Sequence, residues 1–326
     1  MRQRQIGTAL SASEFCLGTM YFGTTVDEAT SFAILDRFAE AGGTFIDTAN
    51  CYQFWTGHGT GEESESLLGR WLQRRGDRDR LVIATKVGAR PDPAGAPWPD
   101  SAEGLSADVI RAQAQASLRR LGTDHIDVYY AHIDDPTTPQ EETLEAFSDL
   151  VTAGAVRVPG GSNLTTDRLI SARRAANAHA WPAYQCFQQR HTYLAPAPDA
   201  DFGVQVVADD ELFEYGRGES DLTLLAYSTL LSGSYVRADR PVPPEYQHPG
   251  TADRLGALHE VADSLGATPN QVVLAWLLGG DPPALPVLGV SSVAQLDECL
   301  GAVDLHIDEQ HRYRLDTAGQ AFHRTA

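Results

Sequence analysis

Four side chains of complementary chemistry stand out in the sequence: a carboxylate, a phenol, an ammonium group and an imidazole. Asp47 follows an apolar pair and Tyr52 comes five residues later, Lys86 ends the run Leu-Val-Ile-Ala-Thr-Lys, and His132 ends Val-Tyr-Tyr-Ala-His. Each one alone has an ordinary structural explanation, such as a turn cap, a surface ion pair or a packed core residue. Together they can be partners of one another, because a buried acid, cation, phenol and imidazole all need polar partners.

The chemistry that suits these four groups is proton-coupled hydride transfer to a carbonyl compound. A phenol has a pKa near 10 and is a poor proton donor or base at neutral pH until a cation stabilises its ionised form. In this interpretation Lys86 is that cation and Asp47 holds the ammonium group in place. His132 can donate a hydrogen bond to the substrate oxygen and polarise the carbonyl. Tyr52 then acts as general acid in reduction and as base in the reverse reaction.

A scaffold must bring these distant positions together, and the hydrophobic pattern predicts one. Eight short runs, most of them apolar on both faces as buried parallel strands are, alternate with longer amphipathic stretches. The eight predicted strands are Phe15–Gly18, Thr44–Asp47, Leu81–Lys86, Ile126–His132, Ala155–Val158, Ala183–Gln185, Leu222–Ala226 and Ala284–Val287.

Helical patterns fill the intervals between these runs. Asp27–Ala41 carries apolar residues at helical spacing and stops at Gly42-Gly43, while Ser106–Leu121 begins at a candidate N-cap residue and closes at Gly122. No Pro/Gly-rich linker divides the chain. The alternation therefore predicts an α/β fold, a (β/α)8 TIM barrel that forms a single domain over residues 1–326. In such a barrel the loops after the strands meet at the C-terminal rim, so the four polar groups should meet there.

Long loops at that rim should form the pocket. The irregular stretches are Gln53–Glu63, Ala89–Gly104 and Leu231–Asp253, and long loops in a barrel are more often functional than accidental. The predicted substrate-contacting residues are Tyr21, Trp55 and Trp98. An aromatic wall suits a hydrophobic or sugar-like carbonyl compound, although each aromatic ring could equally be loop packing.

Composition excludes several other classes of function. The formal net charge of −19 argues against nucleic acid as a partner, because a phosphate backbone requires clustered Lys and Arg, and equally against an anionic membrane surface. The four cysteines are scattered without metal-ligand spacing, which predicts neither a disulfide framework nor a metal site. The first residues lack the apolar core of a signal peptide, and no apolar run approaches the ~20 residues that span a bilayer. We therefore expect a cytoplasmic protein that acts on a small molecule.

Several segments resemble the strand-end signatures of the aldo-keto reductases, in the right order along nearly the whole chain. They are Thr44-Phe-Ile-Asp-Thr-Ala-Asn-Cys-Tyr52, Ala84-Thr-Lys86, Asp127-Val-Tyr-Tyr-Ala-His132, Gly160-Gly-Ser-Asn163, Leu225-Ala-Tyr-Ser228 and Leu288-Gly-Val-Ser-Ser-Val-Ala-Gln295. The resemblance implies a TIM barrel, a nicotinamide cofactor without a Rossmann fold, and Asp47, Tyr52, Lys86 and His132 as catalytic residues. The overall composition resembles that of bacterial members.

The resemblance also implies which residues bind the cofactor. Ser162, Asn163 and Gln185 correspond to residues that hold the nicotinamide carboxamide, and Tyr227 to the aromatic residue that stacks on the ring. The remaining implied contacts are Thr19, Met20 and Asp47 near the pocket, Ser228, Leu230 and Ser232 in the diphosphate loop, and Gly289, Ser291, Gln295 and Glu298 at the adenosine end.

The sequence departs from the family pattern in two places. No Lys or Arg lies between Leu288 and Leu300, where many relatives bind the 2′-phosphate of NADP, although Arg237 and Arg240 lie in a nearby loop. We expect NADP as cofactor and leave NAD open. The second departure is Pro159, which lacks the N–H that a central strand requires, so we expect the fifth strand to end at Val158 and its tip to be irregular.

Two classes of function fit the resemblance. The first is an enzyme that reduces an aldehyde or ketone with NADPH, and the very acidic composition favours it. The alternative is a cofactor-sensing regulatory subunit resembling the potassium-channel β subunits, which can retain the same four residues. The sequence predicts neither the physiological substrate nor the oligomeric state.

Overall fold

A closed barrel of eight parallel strands forms the centre of the structure. The computed structural model describes residues 1–56 and 59–319, so Gly57 and His58 of the predicted loop Gln53–Glu63 and the last residues of the predicted domain lie outside the described residues. An antiparallel hairpin precedes the barrel. The strands are β1 (Gln3–Ile6), β2 (Leu10–Ser13), β3 (Cys16–Gly18), β4 (Phe45–Asp47), β5 (Val82–Val87), β6 (Ile126–Ala131), β7 (Val156–Ser162), β8 (Cys186–Arg190), β9 (Thr223–Tyr227) and β10 (Ala284–Gly289).

The first and last barrel strands pair with each other and close the sheet. β10 is parallel to β9 on one side and to β3 on the other, with Val287 opposite Cys16 and Gly289 opposite Gly18. All residues of β5 and β6 are buried, as expected for parallel strands that are covered on both faces. The predicted TIM barrel is therefore confirmed.

Helices surround the barrel on its outer side. In the described residues they are α1 (Glu28–Glu40), α2 (Glu63–Arg75), α3 (Ala107–Leu121), α4 (Gln140–Thr152), α5 (Thr166–Ala178), α6 (Asp210–Gly218), α7 (Thr251–Leu265), α8 (Pro269–Leu278), α9 (Val293–Leu300) and α10 (Glu309–Thr317). The predicted N-cap Ser106 accepts a hydrogen bond from the Val109 N–H, and Asp27 caps α1 in the same way. No helix of the described chain is long and apolar enough to cross a bilayer.

The hairpin β1–β2 closes the N-terminal mouth of the barrel. Its Ile6, Leu10 and Ala12 pack with the apolar side chains inside the barrel. The Ser13 hydroxyl accepts hydrogen bonds from the N–H groups of Thr44 and Phe45, at the start of β4. The opposite, C-terminal end of the barrel is therefore the end that carries the polar residues.

Pro159 does not interrupt the fifth barrel strand, so the expected end at Val158 is wrong. β7 continues to Ser162, with Pro159 opposite Tyr129 of β6. The Pro159 carbonyl accepts a hydrogen bond from the Gln185 N–H. The nitrogen and the carbonyl of a strand residue face the same neighbouring strand, so the nitrogen of Pro159 faces the segment just before β8. Because β8 starts only at Cys186, no backbone hydrogen bond of the sheet is lost at Pro159.

The sixth barrel strand lies further along the chain than predicted. The prediction was Ala183–Gln185, whereas β8 spans Cys186–Arg190, and the other seven predicted strands overlap observed ones. The apolar pair Ala183-Tyr184 suggested that the strand lies before Gln185. The true strand escaped notice because its last residues, Gln188, Gln189 and Arg190, are polar and reach the rim. This shift moves Gln185 to the N-terminal end of the barrel.

Candidate active site

Asp47, Lys86 and Tyr52 form a buried hydrogen-bonded triad at the C-terminal ends of β4 and β5. Lys86 Nζ lies 2.5 Å from Asp47 Oδ2, 2.6 Å from Tyr52 Oη and 2.9 Å from the Thr48 carbonyl oxygen. An ammonium group has three N–H donors, so these contacts use all of them. Both charged side chains are only 1% exposed, and each therefore depends on the other for compensation of its charge.

The Tyr52 phenol is held as a proton donor. Its hydroxyl donates to Asp47 Oδ2 over 3.0 Å and accepts from Lys86 Nζ. Burial, and then the negative charge of Asp47, raises the pKa of Tyr52 well above its usual value near 10. The group is therefore protonated at neutral pH, and the adjacent Lys86 ammonium is placed to stabilise the phenolate once the proton has left.

Gln188 and Thr19 hold Asp47 from two other parts of the chain. Gln188 of β8 donates from Nε2 to Asp47 Oδ1 over 2.9 Å. The N–H and the hydroxyl of Thr19 both donate to the Asp47 carbonyl oxygen, and the Thr19 hydroxyl also contacts Ser64 of α2. The Thr19 side chain therefore supports the backbone of Asp47 and is not directed at a cofactor as the resemblance implied.

His132 follows β6 directly and meets the ring of Tyr52 edge to face, with centroids 6.0 Å apart. Its Nδ1 lies 3.5 Å from the Cys51 thiol, and its carbonyl oxygen accepts a hydrogen bond from Asn163 Nδ2. Burial, reinforced by the positive charge of Lys86, lowers the pKa of His132 well below 6.5. The imidazole is thus neutral at neutral pH.

A polar cluster joins the ends of β7, β8 and β9. Asn163 accepts hydrogen bonds at Oδ1 from the Tyr227 hydroxyl at 2.7 Å and from the Val206 N–H at 3.2 Å. Its Nδ2 donates to Ser162 Oγ as well as to the His132 carbonyl. Three residues that the resemblance assigns to the nicotinamide, Ser162, Asn163 and Tyr227, are therefore in one place, beside His132.

Gln185 does not belong to this cluster, and its assignment to the nicotinamide is wrong. Its Oε1 accepts from the N–H and the hydroxyl of Thr8, in the hairpin at the opposite mouth. Gln188 lies at the correct end of the barrel instead. A signal was present in the sequence, because Gln188-Gln189-Arg190 is a polar run, and Asp47, Lys86 and His132 likewise place a polar residue at or near the end of a strand.

The turn after β9 has an unusual backbone. Ser228, Leu231, Ser232 and Gly233 all have positive φ angles, of 56°, 46°, 56° and 94°. Left-handed residues among right-handed ones turn successive N–H groups inward and form concavities that bind anions. Leu230, within this turn, is half-buried. The turn is the segment that the resemblance assigns to the diphosphate.

The predicted adenosine end lies at β10 and α9. A side chain built on Gly289 would meet no atom within 4 Å, so this strand end is open. Ser291 donates from both its N–H and its hydroxyl to Gln295 Oε1. Glu298 accepts at Oε1 from Thr268 and Asn270, and so is tied to the start of α8.

Arginine side chains lie at both segments. In the turn after β9, Arg190 Nη1 donates to Ser228 Oγ over 3.4 Å, and two further arginines form ion pairs. Arg237 forms an exposed ion pair of 2.5 Å with Asp239. Arg37 of α1 lies 2.7 Å from Asp297 of α9 and brings a positive charge to a helix that has none of its own.

The predicted substrate-contacting aromatics separate into two groups. Trp55 and Trp98 are 53% and 39% exposed, and Phe54 lies between them at centroid distances of 5.0 and 5.8 Å. Phe54 packs against the small cluster that contains Tyr52, as does Met20. Tyr21 packs instead against the core beneath α1 and α2, so the structure does not place it with the others. No group of side chains in residues 1–56 and 59–319 could hold a metal ion.

The sequence profile of the aldo/keto reductase family matches residues 14–319. The chain belongs to this family. Relatives of the aldo/keto reductase include the uncharacterized oxidoreductase YrpG of Bacillus subtilis, 32% identical over 93% of this chain and 91% of its own length. The norsolorinic acid reductase stcV of Emericella nidulans is 32% identical over 94% and 78% of the two chains. The aldo-keto reductase str7 of Strobilurus tenacellus is 30% identical over 94% and 88%.

Family membership gives the aldo/keto reductase its reaction class. It is an oxidoreductase that reduces carbonyl compounds, and enzymes of this family use nicotinamide cofactors. The named relatives are reductases and oxidoreductases, and nothing in the comparisons favours the alternative of a regulatory subunit. Because these relatives come from a bacterium and from fungi, they leave the source of this chain open within the family.

Gln185 and Gln188 provide a matched pair of variants. Gln188→Leu removes the amide that holds Asp47 Oδ1, and we expect kcat/KM to fall about tenfold, as the loss of one hydrogen bond to a charged group implies. Gln185→Leu removes an amide at the hairpin end and should leave kcat/KM unchanged. Steady-state kinetics of both variants tests the reassignment, and an equal loss in both would contradict it.

Proposed function

We propose that the chain reduces an aldehyde or ketone to an alcohol with NADPH, with Tyr52 as general acid. The observation that carries the proposal is the position of Lys86 Nζ, 2.6 Å from Tyr52 Oη and 2.5 Å from Asp47 Oδ2, in a buried site. A phenol that is protonated at rest and touches a fixed cation can release its proton to a developing alkoxide.

The proton transfer follows from these contacts. The substrate carbonyl oxygen is bound between Tyr52 and His132, which are neighbours across an edge-to-face contact. As negative charge develops on that oxygen, His132 donates a hydrogen bond and Tyr52 gives up its proton. Lys86 then stabilises the phenolate, and Asp47 keeps the ammonium group in place. His132 can donate this hydrogen bond because its lowered pKa keeps the ring neutral and its side chain is only half-buried.

The cofactor supplies the hydride when it is bound, and the rim residues fit its parts. Ser162, Asn163 and Gln188 offer amide and hydroxyl groups for a carboxamide, beside the Tyr227 ring. The left-handed turn that contains Ser228, Leu230 and Ser232 suits a diphosphate, because it approaches an anion with small hydroxylated residues and backbone N–H groups. Gly289, Ser291, Gln295 and Glu298 are proposed for the adenosine end.

We favour NADP over NAD for the following reason. The N–H and hydroxyl of Ser291 converge on one amide oxygen of Gln295, at 2.8 and 3.1 Å. A phosphate oxygen can take the place of that amide oxygen and accept from the same two donors. Arg37, paired with Asp297 on the same helix, adds a positive charge. NAD stays the alternative, because no cation of α9 itself faces this position.

The substrate class follows from the exposed aromatic residues. The group formed by Phe54, Trp55 and Trp98 begins two residues after Tyr52 and presents two half-exposed indole rings. Exposed tryptophans in contact with a ring cluster provide a flat apolar surface on which a hydrophobic or ring-containing carbonyl compound can lie. We propose such a compound as substrate.

The proposal is tested by cofactor consumption. Purified enzyme should oxidise NADPH, and NADH with a higher KM, in the presence of aromatic aldehydes and ketones, and more slowly with short aliphatic ones. Trp55→Ala should raise KM for the aromatic substrates about tenfold and leave the aliphatic ones unchanged, because a buried aromatic contact is worth ~1–2 kcal/mol. Absence of consumption with either cofactor across the panel would refute carbonyl reduction by this site.

The cellular setting is proposed on other grounds. All four cysteines are free thiols and buried, which suits the reducing conditions of the cytoplasm. The Ala-, Arg-, Gly- and Asp-rich composition supports a bacterial source.

A further inference from the structure

The thiol of Cys51 contacts the ring of His132. Cys51 directly precedes Tyr52, is 1% exposed, and places Sγ 3.5 Å from His132 Nδ1. Among residues 1–56 and 59–319, this is the hydrogen bond found for the His132 ring. We propose that Cys51 is a positioning residue, which donates its S–H to His132 Nδ1 and thereby keeps the hydrogen of the neutral imidazole on Nε2.

Two arrangements of hydrogens fit the contact, and the surroundings of the thiol select one. Either S–H donates to Nδ1, or Nδ1–H donates to sulfur while S–H points elsewhere. Cys51 packs in an apolar cluster with Ala49, Ala89 and Ile133, and His132 Nδ1 is the hydrogen-bond partner recorded for its thiol among the described residues. Burial raises the pKa of Cys51 above its usual range, so the thiol keeps its proton and remains a donor.

The tautomer matters because the two ring nitrogens have different tasks. The partner of one nitrogen decides the protonation of the other in a neutral imidazole. With Nδ1 accepting from Cys51, Nε2 carries the hydrogen and can donate to the substrate carbonyl oxygen. In the other tautomer Nε2 would be a lone pair facing that oxygen and would repel it. The expected effect on rate rests on the proposed function, in which His132 polarises the carbonyl. The tautomer itself does not depend on that role.

Nitrogen NMR of histidine-labelled protein reads the tautomer without any substrate. In the wild type we expect the His132 resonances of a pyridine-like Nδ1 and a pyrrole-like Nε2, assigned by their loss in His132→Gln. Cys51→Ser retains a donor of similar size and should keep this pattern. Cys51→Ala should shift the two resonances toward averaged values. A protonated Nδ1 in the wild type, or an unchanged pattern in Cys51→Ala, would overturn the proposal.

Kinetics gives the second readout. Cys51→Ala should lower kcat/KM for carbonyl reduction about three- to tenfold, the effect of one weak hydrogen bond, with an unchanged Kd for NADPH. Cys51→Ser should restore the rate to within about twofold. Cys186→Ala, which removes a buried thiol from the barrel interior, controls for loss of a cysteine as such. If no substrate is ever reduced, the proposed function fails while the NMR result still decides the tautomer.

Discussion

Tyr52→Phe is expected to lower kcat for carbonyl reduction by about a thousandfold, within the range by which a positioned general acid accelerates a reaction. The substitution removes the hydroxyl that accepts from Lys86 and donates to Asp47, and leaves the ring in its apolar surroundings. The carbonyl oxygen then has no proton donor beside it. The measurement is kcat from NADPH oxidation, together with the Kd of NADPH from fluorescence titration.

The control for this variant is another buried tyrosine. Tyr130 lies inside the barrel, and its hydroxyl has no nitrogen or oxygen partner among the described residues, only the weakly polar thiol of Cys186 beside it. Tyr130→Phe should therefore leave kcat unchanged and the free energy of unfolding equal or slightly higher, because it removes an unsatisfied polar atom. NADPH should bind Tyr52→Phe with an unchanged Kd. Retention of the wild-type kcat by Tyr52→Phe would remove this residue from the proton transfer.

Lys86→Met should damage both stability and rate. It leaves the Asp47 carboxylate buried without its cation, and breaking a buried ion pair costs about 3–5 kcal/mol of unfolding free energy. The rate should fall about a hundredfold or more, since the phenolate of Tyr52 loses the charge that stabilises it. Urea denaturation and steady-state kinetics provide the two measurements.

The double variant Asp47→Asn/Lys86→Met separates these two effects. With the carboxylate neutralised, no unpaired charge remains, and we expect most of the lost unfolding free energy to return. The rate should not return, because the cation is still absent. A double variant that recovers the rate would mean that the ion pair serves folding and has no part in the chemistry.

The sequence was sufficient to predict the barrel and the triad. β5 and β6 are mostly apolar runs, with Lys86 next to the last residue of β5 and His132 directly after β6. Parallel strands bring their ends to one rim whatever their separation in the chain. The burial of Asp47 and Lys86 follows in the same way. The single-domain organisation over residues 1–326 stays a prediction.

Two features escaped the sequence because they depend on register and on partners. Pro159 was expected to end its strand because it has no N–H to donate. A missing N–H is costly only where a neighbouring strand offers an acceptor, and β8 starts just beyond that point. Gln185 and Gln188 are the same residue type three positions apart, and only the strand bounds decide which one reaches Asp47. Pairing likewise decides the charge around α9, because residue spacing does not reveal that Arg37 contacts Asp297.

The hairpin places the start of the chain at the end of the barrel that lies away from the polar rim. Ile6 and Leu10 pack into the barrel at its N-terminal mouth, whereas Asp47, Lys86 and Tyr52 meet at the C-terminal ends of β4 and β5. A tag attached before Gln3, or an exchanged turn between β1 and β2, therefore lies at the far end of the barrel from the triad. We expect such changes to affect the free energy of unfolding and to leave the geometry of the triad intact.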